Sequence, residues 1–174
     1  MSKQFTYTIL IVGILFISAV NCYSQNFDYK ENSVYVYNFI KYTNWPQKKQ
    51  IVEIGIVGES PLEAELKNLI AKKKNSNTNY SIRNIGINEA KNVDVIIVTK
   101  SASDKLKQIE LLTAQLPILI ITEKENMGRL GACISFTIDE DNDYKTEYQL
   151  SIRNCKQRGL SVNEQILNNA ILIR

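Results

Sequence analysis

The sequence predicts an α/β fold: a single domain of three layers, in which a mixed, mainly parallel sheet is flanked by helices and followed by a C-terminal antiparallel hairpin and a helix. Short apolar runs alternate with segments of helical periodicity from residue 25 onward. The runs VDVIIV (93–98) and LPILII (116–121) are almost continuously apolar, which is typical of parallel strands covered on both faces. Two further apolar runs flank a polar stretch, as the strands of a hairpin do.

The first 24 residues have the pattern of a secretory signal peptide. Lys3 supplies a positive charge, residues 9–20 form an apolar core, and the small residues Cys22 and Ser24 place the cleavage site directly after Ser24. An uncleaved anchor and a lipoprotein at Cys22 are the alternatives, but the apolar run is shorter than the about 20 residues that a bilayer crossing needs. We therefore expect residues 25–174 to form one domain in the periplasm.

The first predicted helix covers residues 30–44 and ends at Trp45-Pro46, because a proline disfavours the α conformation of the residue before it. Apolar side chains cover more than half of this helix, which is more than one packed sheet would bury. Three tyrosines on it have hydroxyl groups that favour a wet environment, and tyrosine is enriched at interfaces. We expect them to lie in the core or to form a dimer or partner contact: Tyr35, Tyr37 and Tyr42.

The strand VEIGIV (52–57) leads into a turn and a helix. Ser60 is the predicted N-cap, Pro61 the first helical residue, and Glu63 the partner of Ser60 in a capping box. Ligands of open α/β sheets bind where strand carboxyl ends meet helix amino ends. Gly58, Glu59 and Ser60 are therefore a candidate ligand turn, although one glycine is not a dinucleotide fingerprint and no P-loop lysine follows.

An edge strand is predicted at residues 80–84, and a helix over 101–113 connects the two apolar runs as a crossover. ACISFTI (132–138) and EYQLSI (147–152) are the predicted strands of the hairpin. The chain is then expected to close with a helix. Ser161 and Glu164 form its predicted capping box, and the apolar residues that follow share one face.

The composition argues against catalysis, metal binding and nucleic-acid binding. The chain has no histidine, which removes the usual general base and the usual metal ligand. Asp139, Asp141 and Asp143 match the first ligands of a calcium loop, but Tyr144 and Leu150 stand where that loop needs Gly and Glu. The basic residues are scattered rather than clustered. We expect no enzyme activity, no cofactor and no metal.

Two cysteines follow the predicted signal peptide, and an oxidising periplasm would permit them to pair. Cys133 lies near the start of one hairpin strand, and Cys155 lies just beyond the end of the other. They are about two residue pairs out of step, whereas a disulfide needs Cα atoms within about 7 Å. A redox pair and two buried free thiols both remain open.

Six segments occur in the same order, and with similar gaps, as in one known family: VYNFIKYTNWP, IGIVGESPL, VDVIIVT, PILIITE, GACISF and RGLSVNEQILNNA. The chain thus resembles the YfiR-like family of periplasmic regulatory proteins over about residues 29–173. The most specific segment is the aromatic helix that ends at Trp45-Pro46. Some relatives use cysteine pairs as redox sensors, but their spacing does not align with Cys133 and Cys155.

The resemblance implies a secreted regulator that binds a membrane-bound sensor protein of the inner membrane, either a diguanylate cyclase or a histidine kinase, and that catalyses no reaction itself. A homodimer is compatible with this role. The alternative is a periplasmic domain that binds a small molecule at the turn from Gly58 to Ser60. The two can coexist, because a ligand that prefers one conformation shifts the population that a partner meets.

Overall fold

A computed structural model of the protein describes residues 27–73, 78–142 and 144–173. The predicted signal peptide and its cleavage site lie outside these residues. Within the described part of the chain, no helix is long and apolar enough to cross a membrane. The helices are α1 (Tyr29–Lys41), α2 (Leu62–Lys72), α3 (Leu106–Thr113), α4 (Ile152–Gln157) and α5 (Glu164–Leu167). The strands are β1 (Thr43–Asn44), β2 (Ile51–Val57), β3 (Asn79–Asn84), β4 (Val95–Val98), β5 (Leu119–Thr122), β6 (Ile134–Asp139), β7 (Lys145–Leu150), β8 (Ser161–Val162) and β9 (Ile171–Leu172).

The main sheet has seven strands in the order β3-β2-β4-β5-β6-β7-β9. The strands from β3 to β6 are parallel, β7 is antiparallel to β6, and β9 is parallel to β7. The predicted class, an α/β domain with a mixed and mainly parallel sheet, is confirmed. The predicted strand at residues 80–84 does lie at an edge, as β3.

Both faces of the central strands are covered, which explains their continuous apolar runs. Along β4, Val95 and Ile97 face a core that also contains apolar residues of α1 and α2. Ile96 and Val98 face a second core, formed with α3 and the 3₁₀ segments beside it. The two cores and the sheet between them produce the predicted three layers.

The predicted hairpin is also confirmed. Ile134 pairs with Leu150 at one end and Asp139 with Lys145 at the other. The carboxylate of Asp139 accepts a hydrogen bond from the N–H of Asp141, as is common in tight turns. In the described ranges no group of acidic or cysteine side chains is arranged to hold a metal ion.

The predicted end of the first helix was wrong. The helix ends at Lys41, and Thr43 and Asn44 form β1, which pairs with β8 in a separate two-stranded sheet. The helix stops before Trp45-Pro46 because Thr43 and Asn44, which were predicted to be helical, pair with β8 instead. At the other end Asp28 is the N-cap, and its carboxylate accepts from the N–H groups of Lys30 and Glu31.

The predicted capping box of α2 was wrong. The helix begins at Leu62 with Pro61 as its N-cap, one residue later than predicted, although the hydroxyl of Ser60 still accepts a hydrogen bond from the N–H of Leu62 at 3.1 Å. The carboxylate of Glu63 does not reach back to the cap. It binds Lys67 at 2.6 Å and the side-chain amide of Asn84 at 2.6 Å instead.

A helix follows the hairpin as predicted, but the predicted capping box and length of this closing helix were wrong. Ser161 belongs to β8, and the capping residue is Asn163, whose side chain accepts from the N–H of Gln165. The helix α5 makes a single turn, and Ile171 lies in β9 at the edge of the main sheet. Ile171 and Leu172 form a strand because they pair with backbone groups at the edge of β7. A helix at this position would leave those groups of β7 without a partner in the sheet.

Candidate functional site

The turns that follow β2, β4 and β5 meet at the carboxyl edge of the parallel sheet. The chain order reverses between β2 and β4, because β3 lies on the outer side of β2. This reversal is the position at which open α/β sheets bind ligands. The predicted ligand turn, Gly58 to Ser60, therefore lies where the fold class places a site. Gly58 has a φ of 96°, and a Cβ there would overlap the hydroxyl oxygen of Thr99 and the methyl group of Ala102.

A protein carboxylate occupies the mouth of this turn. Glu123, the residue directly after β5, is only 7 % exposed. One of its oxygens accepts a hydrogen bond from the hydroxyl of Ser60, and the other accepts from the N–H of Lys100 at 2.9 Å. The hydroxyl of Ser60 and the N–H of Lys100 could have held a ligand anion at the turn, but both already donate to Glu123.

Burial raises the pKa of Glu123, while its hydrogen bonds from Ser60 and Lys100 act in the opposite direction. The hydroxyl of Tyr29, in the first turn of α1, lies near that of Ser60. Burial and then the charge of Glu123 raise the pKa of this tyrosine, and the Ser60 hydroxyl lowers it to a smaller extent. The network therefore joins the start of α1 to the turns after β2, β4 and β5.

A cavity of about 620 Å³ opens beside Glu123. Phe27, Phe136 and Ile138 contribute its apolar wall, and the rings of Phe27 and Phe136 meet edge to face at 5.8 Å. The charged residues on its lining are Lys100, Glu123, Lys124, Glu125 and Glu140. A volume of 300–1,000 Å³ is roughly what small-molecule sites have.

The structure brings the two cysteines together, although they are out of step in the hairpin. Cys133 precedes β6, and Cys155 lies on α4, which folds back over the start of that strand. Both thiols are buried and free, and they lie near enough for each to shift the pKa of the other. The neighbouring Cys155 lowers the pKa of Cys133, with a smaller contribution from the positive charge of Arg158, whereas the neighbouring Cys133 and burial raise the pKa of Cys155.

The three tyrosines of α1 have different surroundings. Tyr37 is 8 % exposed and contacts the ring of Tyr80 at 5.9 Å. Tyr35 is half-buried, and its ring lies 5.6 Å from that of Tyr148. Tyr42, at the end of the helix, is half-exposed, with the ammonium group of Lys41 5.0 Å from its ring. Tyr37 is the least accessible of the three to a partner, whereas Tyr35 and Tyr42 are both half-buried.

Comparison with known proteins identifies the family to which the chain belongs. The family model YfiR/HmsC-like (DUF4154) matches residues 29–171. The chain belongs to the YfiR/HmsC-like family. The matched range runs from the first residue of α1 to the first residue of β9, and therefore includes all of the main sheet except Leu172.

The fold of this YfiR/HmsC-like protein is also similar to that of a conserved domain protein from Vibrio cholerae O1 biovar El Tor strain N16961. The TM-score is 0.56 at 12 % sequence identity. The similarity covers 84 % of this chain but 60 % of the other. At this identity the likeness concerns the fold alone. No curated protein matches the chain.

The sequence pattern did not predict Glu123, the central group of the candidate site in this YfiR/HmsC-like protein. Glu123 ends the segment PILIITE and precedes Lys124 in a run of alternating charges, which is the pattern of ordinary surface residues. A charged residue directly after a buried parallel strand is the signal that could have found it, because such a position lies at the carboxyl edge of the sheet. The cavity is lined by Phe27 and Ile138, which lie far apart in sequence, so no local sequence pattern could have predicted it.

Proposed function

We propose that this protein is a periplasmic signalling regulator that binds and modulates a membrane-bound sensor protein, either a diguanylate cyclase or a histidine kinase, without a reaction of its own. The family match over residues 29–171 carries the proposal. The absence of histidine from the sequence supports a regulatory role, because it removes the residue that most often acts as a general base near neutral pH.

The outer side of α1 is the surface that we assign to partner contact. Val34, Asn38, Lys41 and Tyr42 follow the spacing of one helix face. Val34 is 44 % exposed and gives this face an apolar side chain that a partner could cover. Tyr37 is too buried to take part, so the predicted contact set narrows to Tyr42 and the exposed edge of Tyr35.

Site-specific photo-cross-linking in the living host tests this proposal. A photo-reactive residue placed at Val34 should capture a membrane protein that carries a cyclase or kinase domain, identified by mass spectrometry. Leu111 is the matched control, because it is also an apolar helical residue and is 65 % exposed. Capture at Val34 of copies of this chain alone, or equal capture at both positions, would contradict the assignment.

A second function, small-molecule binding, is favoured by the position of the turn at the carboxyl edge of the sheet. The turn from Gly58 to Ser60 is closed by Glu123, so we place a ligand in the adjoining cavity rather than on the turn itself. Ligand binding and partner binding are compatible, since Tyr29 contributes to both the cavity and α1. A ligand could therefore alter the helix that meets the partner.

A further inference from the structure

Glu123 is a buried carboxyl group that forms no ion pair among the described residues, although the positive charge of Lys100 is near enough to lower its pKa. The ion pairs of the described residues are formed by other carboxylates, those of Asp94, Glu63, Glu89 and Glu110. The two oxygens of Glu123 accept hydrogen bonds from a hydroxyl and a backbone N–H. Buried carboxylates are normally paired, because removing a charge from water is costly. Each oxygen still has a lone pair for a further donor.

The cavity gives this carboxylate access to a ligand. Glu123 lines it together with the apolar side chains of Phe27, Phe136 and Ile138. These three side chains could cover the hydrocarbon part of a small molecule. A molecule that lies against them and donates hydrogen bonds to Glu123 would use the polar and the apolar part of the cavity at once.

The charges of the cavity favour a cation over an anion. Its lining has two basic residues, Lys100 and Lys124, and three acidic ones, Glu123, Glu125 and Glu140. Both lysines and the last two glutamates are exposed, so water already solvates and screens their charges. Glu123 is the buried member, and electrostatic attraction is strongest where the effective dielectric constant is low.

We propose that this cavity binds a small organic cation, namely a primary amine with an apolar body, whose ammonium group donates to the carboxylate of Glu123 while its body packs against Phe27, Phe136 and Ile138. An ammonium group suits the site better than a metal ion, because the cavity offers only one buried carboxylate and no group of ligands. The proposal does not depend on the existence of a membrane partner.

Ligand-observed NMR and calorimetry on residues 25–174 test the proposal with three probes of similar size. The probes are 2-phenylethylamine, 3-phenylpropionate and 2-phenylethanol. We expect the amine to bind with a dissociation constant in the range of roughly 0.1–1 mM, as small fragments do. The carboxylate and the alcohol should bind at least tenfold more weakly. No binding of the amine at 10 mM, or preference for the carboxylate, would overturn the proposal.

The variant Glu123→Gln identifies the group that binds. Its side-chain amide has the same shape and can accept from Lys100 N–H and donate to Ser60, so the fold should persist, as circular dichroism can verify. We expect this variant to lose at least tenfold in affinity for 2-phenylethylamine. Glu147→Gln, which changes the charge equally on β7 outside the cavity lining, should bind the amine like the unmodified chain. Equal affinity of both variants would overturn the assignment.

A second variant tests the cavity independently of its charge. Ile138→Trp adds a large side chain to the lining and should exclude the amine without altering the carboxylate. Ile138 is near the end of β6 and only half-buried, so the larger side chain can be accommodated. Undiminished binding by a folded Ile138→Trp variant would show that the amine lies elsewhere and would overturn the proposal.

Discussion

At the scale of single residues, Glu123 makes the stability of the protein depend on pH. Burial raises the pKa of its carboxyl group above the unfolded value of about 4.3. The folded chain then holds a proton that the unfolded chain releases, so ionisation opposes folding. The contribution of Glu123 to stability should fall as the pH rises from about 4 through its folded pKa, and the loss is complete above that pKa. Tyr29, Ser60 and Lys100 face this carboxyl group and modulate the shift.

We therefore predict that Glu123→Gln is more stable than the unmodified chain at pH 7.5 and that the difference shrinks as the pH falls to 4. The amide has no charge to desolvate and keeps partners for both of its polar atoms. Urea unfolding at several pH values measures the difference in the free energy of unfolding. A difference that does not vary with pH would show that Glu123 titrates normally.

The two cysteines are the second residue-scale case. Because the thiols of Cys133 and Cys155 are buried, we predict that iodoacetamide labels neither in the native protein and both after unfolding. A diffusible thiol oxidant such as diamide should join them, with the loss of two hydrogen atoms seen by mass spectrometry. Cys133→Ser should prevent this. Rapid labelling of the native protein, or no disulfide in the oxidised unmodified chain, would contradict the prediction.

At the scale of elements, the turn between β2 and α2 depends on one glycine. Gly58→Ala forces a Cβ against Thr99 at a φ of 96°, which side chains rarely adopt. We predict a loss of about 2–4 kcal/mol in the free energy of unfolding and, for a domain of this size, a melting temperature lower by roughly 4–16 °C.

The matched control for this turn is Gly86→Ala. Gly86 has a φ of −79°, and a Cβ there would meet only the carboxylate of Glu89 at 3.8 Å, an ordinary contact. Its melting temperature should change by no more than about 2 °C, since a compatible Gly-to-Ala change is neutral or mildly stabilising. Thermal unfolding of the two variants decides the matter. Equal effects would mean that the turn can relax around a side chain.

The sequence predicts some elements better than others for a physical reason. β4 and β5 were predictable because burial on both faces demands continuous apolar residues. The helix α4 was not, because its six residues, IRNCKQ, show no helical periodicity. Tertiary bonds hold it instead: the side-chain amide of Asn154 donates to the carbonyls of Gly128 at 2.7 Å and Ala132 at 2.6 Å. Such bonds leave no local pattern.

At the scale of the whole molecule, the order of apolar runs predicted the parallel sheet and the hairpin, and the resemblance of six separated segments predicted the family. The candidate site was predictable only in part. Gly58 and Ser60 were singled out because the fold class places ligands at such turns. Glu123 was not, because its burial results from contacts with Ser60 and Lys100, which lie 63 and 23 residues away in sequence.

The last prediction concerns association of whole molecules through the outer side of α1. If Val34 and Tyr42 form the contact, Val34→Asp with Tyr42→Ser should weaken it by at least tenfold, because it places a charge in an apolar interface and removes an aromatic ring. Stability should fall only modestly, since Val34 is exposed and Tyr42 is half-buried rather than part of the fully buried core. Tyr35 is left intact because it packs against Phe39 and Tyr148, so its replacement would also disturb the core.

Sedimentation velocity over a range of concentrations measures self-association, and affinity capture with the periplasmic segment found by cross-linking measures binding to the sensor. Leu111→Asp is the control, since it introduces the same charge at an exposed apolar residue of α3, across the sheet from α1. A loss in the α1 variant alone assigns the contact to that helix. If both variants associate like the unmodified chain, the exposed apolar side of α1 has another purpose, and the partner surface must be sought on other elements of the fold.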